Sequence, residues 1–395
     1  MLLYIHVPFC RSKCSYCAFA SQEYDSELLR KYLRVLEREI ETRSRNLSPK
    51  KLSSIYLGGG TPSLLAAAEI QRIMDCVFKF FTPVHGCEIT IEANPESIAD
   101  RVYLKDLGQL GINRISLGVQ SLENRLLSVL CRAHNADQAR RAAGMILEAD
   151  HNLNLDLIWG LPGQTVKSWL NELNMATKLG AYHISCYGLS LEPGTGLQKI
   201  VERGMLKCPS ERTLAEMYLQ GADYLEDKGF LQYEISNFAR PGYTCRHNLG
   251  YWSGSSFLGL GPSAVSHMHG RRWRNPALVS DYILLNARNF SGIPVEQLAG
   301  SEQLNEMVML SLRMSKGLNL EDYLIATGES FCRKYARIIS DLQKSKLIMI
   351  SNEHVSLTKK GMLVSNSILE KFFESAHKDI ESCESKKELS PQECL

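Results

Sequence analysis

The most constraining feature of this chain is an alternation. Between residue 1 and about 190, six short β-rich runs are separated by longer stretches of helical periodicity. Strands are expected at 2–6, 54–58, 88–92, 113–118, 153–158 and 182–187. The stretch 26–44 carries Leu28, Leu29, Tyr32, Leu33, Leu36 and Ile40 at helical spacing, the apolar face of an amphipathic helix. Repeated strand–helix units imply a parallel sheet with helices outside it. The strands carry a second pattern. Glu88, Thr90 and Glu92 share a face opposite Ile89 and Ile91, and Arg114, Ser116, Gly118 and Gln120 oppose Ile115, Leu117 and Val119. Asn154 and Asp156 likewise oppose Leu153, Leu155 and Leu157. A parallel sheet covered on both sides would read apolar on both, so these strands are expected to surround a polar lumen. The fold class that follows is α/β, an incomplete (β/α)6 barrel. Reactive groups in such barrels gather at the C-terminal strand ends, where Glu92, Gln120 and Asp156 fall.

Directly after the first strand comes Cys10-Arg11-Ser12-Lys13-Cys14-Ser15-Tyr16-Cys17, spaced C-x3-C-x2-C. Three thiols on one loop can converge on a metal, whereas a disulfide needs two and leaves one over. Iron–sulfur clusters usually take four thiolates. Three would leave one iron of a [4Fe–4S] cube open to an exchangeable ligand. A closed Cys3His zinc site using His6 is one competing reading, and three unrelated core cysteines is the other. With Phe19, the spacing resembles the cluster loop of radical S-adenosylmethionine (SAM) proteins, where SAM chelates the open iron. Gly58-Gly59-Gly60-Thr61-Pro62 follows the second strand. It lacks the Gly-Lys-Ser/Thr ending of a P-loop and resembles the radical SAM glycine motif, which holds the methionine ammonium. Glu92, Gln120, Arg132 and Asp156 rim the expected lumen. Carboxylates suit ribose hydroxyls, and Arg132 suits the SAM carboxylate through a charge-assisted fork.

Downstream, His247-Asn248-Leu249-Gly250-Tyr251-Trp252 sets an imidazole among aromatic residues, on a segment with little helical periodicity. Such a surface suits a flat apolar macrocycle with iron at its centre, although aromatic loop residues also serve as core anchors. Gly259-Leu260-Gly261-Pro262 reads as a tight turn closing the barrel region. Three helical patterns and a hairpin between 301 and 372 read as a small helical, winged-helix-like domain. The expected division is therefore a barrel over 1–230, a connecting segment with the histidine motif over 231–300, the C-terminal domain over 301–372, and a charged, Ser-rich disordered tail over 373–395.

Composition removes several partner classes. Lys+Arg 45 against Asp+Glu 43 leaves a formal charge of +2, so no global field favours nucleic acid or anionic membrane, and the basic residues of the C-terminal domain are scattered. No apolar run reaches the ~18 residues of a membrane span. One tight cysteine cluster with nine scattered singles is the pattern of reduced thiols, which points to a cytoplasmic location.

Taken together, Tyr4-Ile5-His6-Val7-Pro8-Phe9-Cys10, the glycine motif, Gly118-Val119-Gln120, Asp156-Leu157-Ile158-Trp159-Gly160-Leu161-Pro162 and the His247 motif resemble the haem chaperone family HemW. That family is a sister group of HemN, the oxygen-independent coproporphyrinogen III dehydrogenase (oxidase). The likeness runs from residue 3 to about 365. It implies a radical SAM barrel in which Cys10, Cys14 and Cys17 hold a [4Fe–4S] cluster. It further implies that Tyr4, Tyr16, Gly59, Gly60, Thr61, Glu92, Gln120, Arg132 and Asp156 contact SAM, and that His247, with Tyr251 and Trp252, holds haem. The implied partners are haem, a haem-acceptor protein, transient membrane-associated acceptors among them, and an electron donor for the cluster. The alternative is an enzyme that uses a 5′-deoxyadenosyl radical to decarboxylate coproporphyrinogen III. Phe19 stands where the dehydrogenase has a further cysteine, and where that enzyme carries an N-terminal extension before its cluster loop, the loop here starts at residue 10. Ala18 occupies a position that is often acidic in the chaperones.

Overall fold

The computed structural model describes residues 1–374 apart from Asn46, Pro49 and Ala299. Two compact units emerge. One comprises Met1–Gln232 and Ser236–Leu298; the other comprises Tyr233–Ile235 with the described residues from 300 onward.

The first unit is built on seven parallel strands: β1 (Leu2–Val7), β2 (Lys51–Gly59), β3 (Thr82–Ala93), β4 (Arg114–Gln120), β5 (Asn152–Trp159), β6 (His183–Gly188) and β7 (Phe257–Leu260). They lie in the order β7-β1-β2-β3-β4-β5-β6 within a twelve-stranded sheet. Short antiparallel strands extend both edges: Val265–Met268, Arg271–Arg274 and Val295–Gln297 beyond β7, Asn237–Ala239 and Leu231–Gln232 beyond β6. The edges do not pair with each other, so the barrel is incomplete. All six expected strands are present, and β7 is a seventh that the sequence reading placed in a turn. That expectation is corrected: Leu260 still pairs with Ile5, and only Gly261, at φ +92°, makes the turn. Gly259 hid the strand, because glycine interrupts the alternation that marks one.

The period-two pattern sorts the strand faces as expected. Ile55, Leu57, Ile89, Ile91, Ile115, Leu117, Leu153, Leu155 and Leu157 are buried in the main apolar cluster. Helix Ser26–Ser44 packs there through Leu29, Tyr32, Leu33, Leu36 and Ile40, and its first turn is capped by Asp25, which accepts the Leu28 amide at 2.7 Å. Truncating Leu36, which is fully buried, to alanine would cost about 2–5 kcal/mol. The inner face is polar, and the part of it around Asp156 is paired internally. Ser116 donates to Asp156 at 2.8 Å, the Asn154 amide donates to Ser116 and Asp156 at 2.6 and 2.8 Å, and His183 pairs with Asn154 at 2.6 Å. Arg114 lies buried beside them. Such a network carries little cost only because its members find partners.

The segment 231–300 adds its strands to this sheet. Within it, residues 246–252 form a helix, Arg246–Trp252, where the sequence reading expected none. A carboxylate from elsewhere supports that short helix: Glu88, near the start of the regular run of β3, accepts the amides of Arg246 and His247 at 3.1 Å each. Nothing local in the sequence announces a cap supplied from so far away.

The second unit contains helices Ser301–Leu312, Leu320–Thr327, Phe331–Lys334 and Ala336–Lys344. Strands Leu318–Asn319, His354–Leu357 and Ile348–Ile350 form a three-stranded antiparallel sheet, the wing expected from the hairpin pattern. The tail expected at 373–395 lies, beyond residue 374, outside the described residues.

Candidate cofactor site

A cavity of about 510 Å3 opens at the C-terminal ends of the parallel strands. The cysteine loop forms one wall, with Cys10, Cys14, Tyr16 and Cys17 all lining it. The base of that loop is clamped. Phe9–Cys10 pairs in parallel with Gln22–Glu23, and the Gln22 and Tyr24 amides donate to Pro8 and Cys10 carbonyls at 2.8 and 2.9 Å. The tip is tied to the chain after β4, through the Ser15 amide and hydroxyl on the Leu130 and Val129 carbonyls. Phe19 stands at the rim, 68% exposed.

Gly59, Gly60 and Thr61 line the facing wall. Their glycines are required by contact with the cysteine loop itself. A Cβ on Gly60 would lie 2.5 Å from the Phe9 carbonyl oxygen, and Gly59 sits at φ +115° against the His6 ring. Glu92 joins this wall to β3, accepting the Gly59 amide and the Tyr56 hydroxyl at 2.9 Å each. Burial, reinforced by the Asp156 charge and partly offset by those bonds, raises its pKa to about 7. Asp156 is raised as well, chiefly by burial. Gln120 reaches the cavity through a register shift at the end of β4 and a left-handed backbone, φ +64°. Such a conformation costs about 1–3 kcal/mol in a residue other than glycine.

Arg132 completes the rim. Its Nη2 donates to Asn94 Oδ1 at 2.6 Å and the Gly118 carbonyl at 2.8 Å, and its Nη1 points at the Cys14 sulfur at 3.4 Å. Thr61 donates to the Cys10 sulfur at 3.7 Å.

Eleven of the residues singled out in the sequence thus share one cavity, while four lie elsewhere. Tyr4 is absent from the lining; its hydroxyl meets His6 Nδ1 at 3.0 Å. His247, Tyr251 and Trp252 belong to the helix capped by Glu88, at the opposite end of the strands. His247 is 1% exposed. Its Nδ1 meets Ser54 Oγ at 2.8 Å, and its Nε2 meets the Tyr251 hydroxyl at 3.0 Å. Burial, helped by Arg114, lowers its pKa to about 3, so the ring is neutral. Tyr56 and Tyr4 pack against it at ring separations of 5.0 and 6.4 Å.

The donor set discriminates between metal readings. A Cys3His zinc site would need His6, yet that residue is buried, is absent from the cavity lining that holds the three cysteines, and donates its Nε2 proton to the Ala20 carbonyl at 2.8 Å. Among the described residues, no three His, Cys, Asp or Glu side chains converge as a single ion's cage. Three soft thiols on one cavity wall, with N–H and O–H donors aimed at two of them, fit an iron–sulfur cluster, whose sulfurs accept such bonds.

Two residues outside the sequence reading brace this cavity, Asn94 in its lining and Glu172 behind it. Asn94 holds Arg132 and also donates to Thr61 at 3.0 Å. Glu172, fully buried in helix Val166–Thr177, accepts the Ser121 hydroxyl and the Leu122 amide, the latter at 2.7 Å. It also accepts the Gln164 amide at 2.7 Å, while Gln164 takes the Gly160 and Leu161 amides at 2.8 and 3.2 Å. The loops after β4 and β5 are therefore joined through one carboxylate. Asn94 was findable, since it continues the inward-facing series 88, 90, 92.

A family model described as "Radical SAM superfamily" matches residues 4–176, and one described as "HemN C-terminal domain" matches residues 298–364. "Heme chaperone HemW" of Bacillus subtilis (strain 168) is 34% identical over 372 residues, covering 93% of this chain and 98% of the relative. "Heme chaperone HemW" of Lactococcus lactis subsp. lactis (strain IL1403) is 34% identical over 370 residues, covering 93% and 96%. Among solved structures, coproporphyrinogen III oxidase (HemN) from Escherichia coli superposes with a TM-score of 0.81 at 23% identity, covering 93% of this chain and 89% of that one. This last likeness speaks to the fold.

Proposed function

The chain belongs to the radical SAM superfamily and, within it, to the haem chaperone family HemW, and from that membership we propose that it binds haem and passes it to an acceptor protein while carrying a SAM-ligated [4Fe–4S] cluster. The observation that carries the cofactor part is the convergence of Cys10, Cys14 and Cys17 with the glycine motif, Glu92, Gln120, Arg132 and Asp156 on one cavity at the C-terminal strand ends. Cys10, Cys14 and Cys17 would hold the cluster, which supplies an open iron for SAM and a one-electron couple. Glu92 and Asp156 present carboxylates to the ribose and the methionine ammonium, and the Gly59–Gly60 turn lets the backbone come close. An electron donor for the cluster belongs to the same reading.

Haem is proposed to take Nε2 of His247. Ser54 suits this role, because a metal-binding imidazole ordinarily gives its other N–H to a fixed acceptor, and Ser54 Oγ stands 2.8 Å from Nδ1. The iron would then replace the Tyr251 hydroxyl at Nε2, with Tyr251 and Trp252 against the macrocycle. Ten free cysteines among the described residues accord with a reducing, cytoplasmic setting. No helix among the described residues is long and apolar enough to cross a membrane, so membrane-associated acceptors would be met transiently.

The test is transfer. The full chain, loaded with one equivalent of haem, is mixed with an apo-cytochrome separable by size. Haem moving into the acceptor faster than free haem added under the same conditions supports the reading. Failure to retain haem, or retention without transfer, overturns it.

A further inference from the structure

Asn94 occupies a position whose consequence reaches two cluster thiols at once. Its backbone is fixed: its amide donates to Ser97 Oγ at 3.0 Å, the Ser97 hydroxyl returns to its carbonyl at 2.7 Å, and Pro95 follows. The side-chain amide then works in two directions. Oδ1 accepts Arg132 Nη2 at 2.6 Å, and Nδ2 donates to Thr61 Oγ1 at 3.0 Å. Each partner passes a donor to a different sulfur, Arg132 to Cys14 at 3.4 Å and Thr61 to Cys10 at 3.7 Å. Gly118 belongs to the same device. Its carbonyl takes Arg132 at 2.8 Å, and a Cβ there would stand 2.9 Å from Asn94 Oδ1.

From this we infer that Asn94 is a positioning residue that sets the reduction potential of the cluster, by holding a charged donor on Cys14 and a hydroxyl donor on Cys10. The inference rests on the proposal that Cys10, Cys14 and Cys17 bind a [4Fe–4S] cluster. Adding an electron makes the cluster more negative and its sulfurs better acceptors. Hydrogen bonds and positive charge at the thiolates therefore favour the reduced form and raise the potential. Freeing Arg132 and Thr61 should make the cluster harder to reduce. The arrangement matters because a fork donor swung away from sulfur by one rotamer loses most of its bond, which weakens steeply with angle.

The experiment is a dye-mediated redox titration of the full chain after anaerobic cluster assembly, without SAM, read by the electron paramagnetic resonance signal of the reduced cluster. SAM is omitted so that any part Arg132 plays in holding it does not enter. Asn94→Ala should shift the midpoint to more negative potential, with a reduced-to-oxidised ratio about tenfold lower at a fixed poise, or about 59 mV for a one-electron couple. Thr61→Val, which keeps shape and removes only the hydroxyl donor, should give a smaller shift of the same sign. Arg132→Lys should give a smaller shift than Arg132→Met, because the charge is kept and only the fork is lost. Asn113→Ala is the control for an asparagine that braces β3 elsewhere, through the Ile89 amide and Cys87 carbonyl, and should leave the midpoint in place. If Asn94→Ala fails to assemble a cluster, the Thr61 and Arg132 variants decide the matter by the same readout. Unmoved midpoints in iron-replete Asn94, Thr61 and Arg132 variants overturn the inference alone. A parent chain that assembles no cluster overturns the proposed function and this inference together.

Discussion

The hydroxyl of Tyr251 lies 3.0 Å from Nε2 of His247, one helical turn away, so the nitrogen proposed as the haem ligand already has a partner. Ser54 engages the other ring nitrogen, and the ring is almost wholly buried. If His247 is the ligand, Tyr251 competes with iron for the same lone pair. Tyr251→Phe should then leave haem affinity unchanged or strengthen it, while His247→Ala should abolish the Soret band of the bound form. Equal haem affinity in parent and His247→Ala chains, measured by titration, would move the ligand to another residue.

The cluster thiols should be separable from the other cysteines. Serine at Cys10, Cys14 or Cys17 should remove most of the iron and the broad visible absorption. Cys76→Ala and Cys245→Ala should retain both, because neither residue lines the cavity. Iron and acid-labile sulfide per chain are the quantities to compare. An equal loss at Cys76 would contradict the three-ligand account.

Binding of SAM should depend on pH through Glu92. Its carboxyl is held up near 7, mainly by burial, so below that value the group is neutral and cannot attract a cation. Affinity should therefore rise as pH goes from about 6 to 8, and Glu92→Gln should both weaken binding and flatten the profile. Isothermal titration of the cluster-loaded chain at three pH values gives the answer. A flat profile in the parent would remove Glu92 from the contact set.

Glu172 makes a stability statement of the opposite sense to the usual carboxylate. Burial pushes its pKa to about 7 against an ordinary 4.5, more than the Ser121, Leu122 and Gln164 bonds pull it down. The folded state therefore holds the proton more tightly than the unfolded chain between those values. Its contribution to stability declines as pH rises from about 4.5 through 7. Thermal unfolding of the cluster-free chain should show that decline, reduced in Glu172→Gln. Glu172→Ala should lower Tm at every pH and speed amide exchange at Gly160 and Leu161, which Glu172 reaches only through Gln164. Unchanged exchange there would mean that the two loops are not coupled.

Much of this site was legible because it follows from period and spacing. The inward series Glu88, Thr90, Glu92 and the pair Asn154, Asp156 pointed to a polar lumen, and three thiols in eight residues pointed to a ligand loop ahead of three unrelated core cysteines. What escaped depends on long-range geometry. Asn94 continues the inward series just past the end of β3, but its role comes from Thr61 and Arg132, 33 and 38 residues away in the chain. Glu172 reads as one polar position on an amphipathic helix, yet it is fully buried beneath two loops. Strand β7 was concealed by its own glycine. The helix around His247 was missed because seven residues are too few to display a period, and its cap is a carboxylate 159 residues away from His247. A site at the C-terminal strand ends could be read from the sequence; the placement of His247 at the other end could not.

The central claim, that the chain holds finished haem and does not make a porphyrin, is most directly tested by one anaerobic comparison. The cluster-loaded chain, reduced and supplied with SAM, is given haem in one vessel and coproporphyrinogen III in the other. The first is followed by the Soret band, the second by carbon dioxide release and the mass of vinyl-bearing product. Hydrogen abstraction requires the target carbon held about 3–3.5 Å from the reactive atom, and the account places the macrocycle's ligand at the far end of the strands from the cluster loop. The predicted result is stoichiometric haem binding with no decarboxylation above a Cys14→Ser control. Sustained production of protoporphyrinogen IX, with no retained haem, would contradict it.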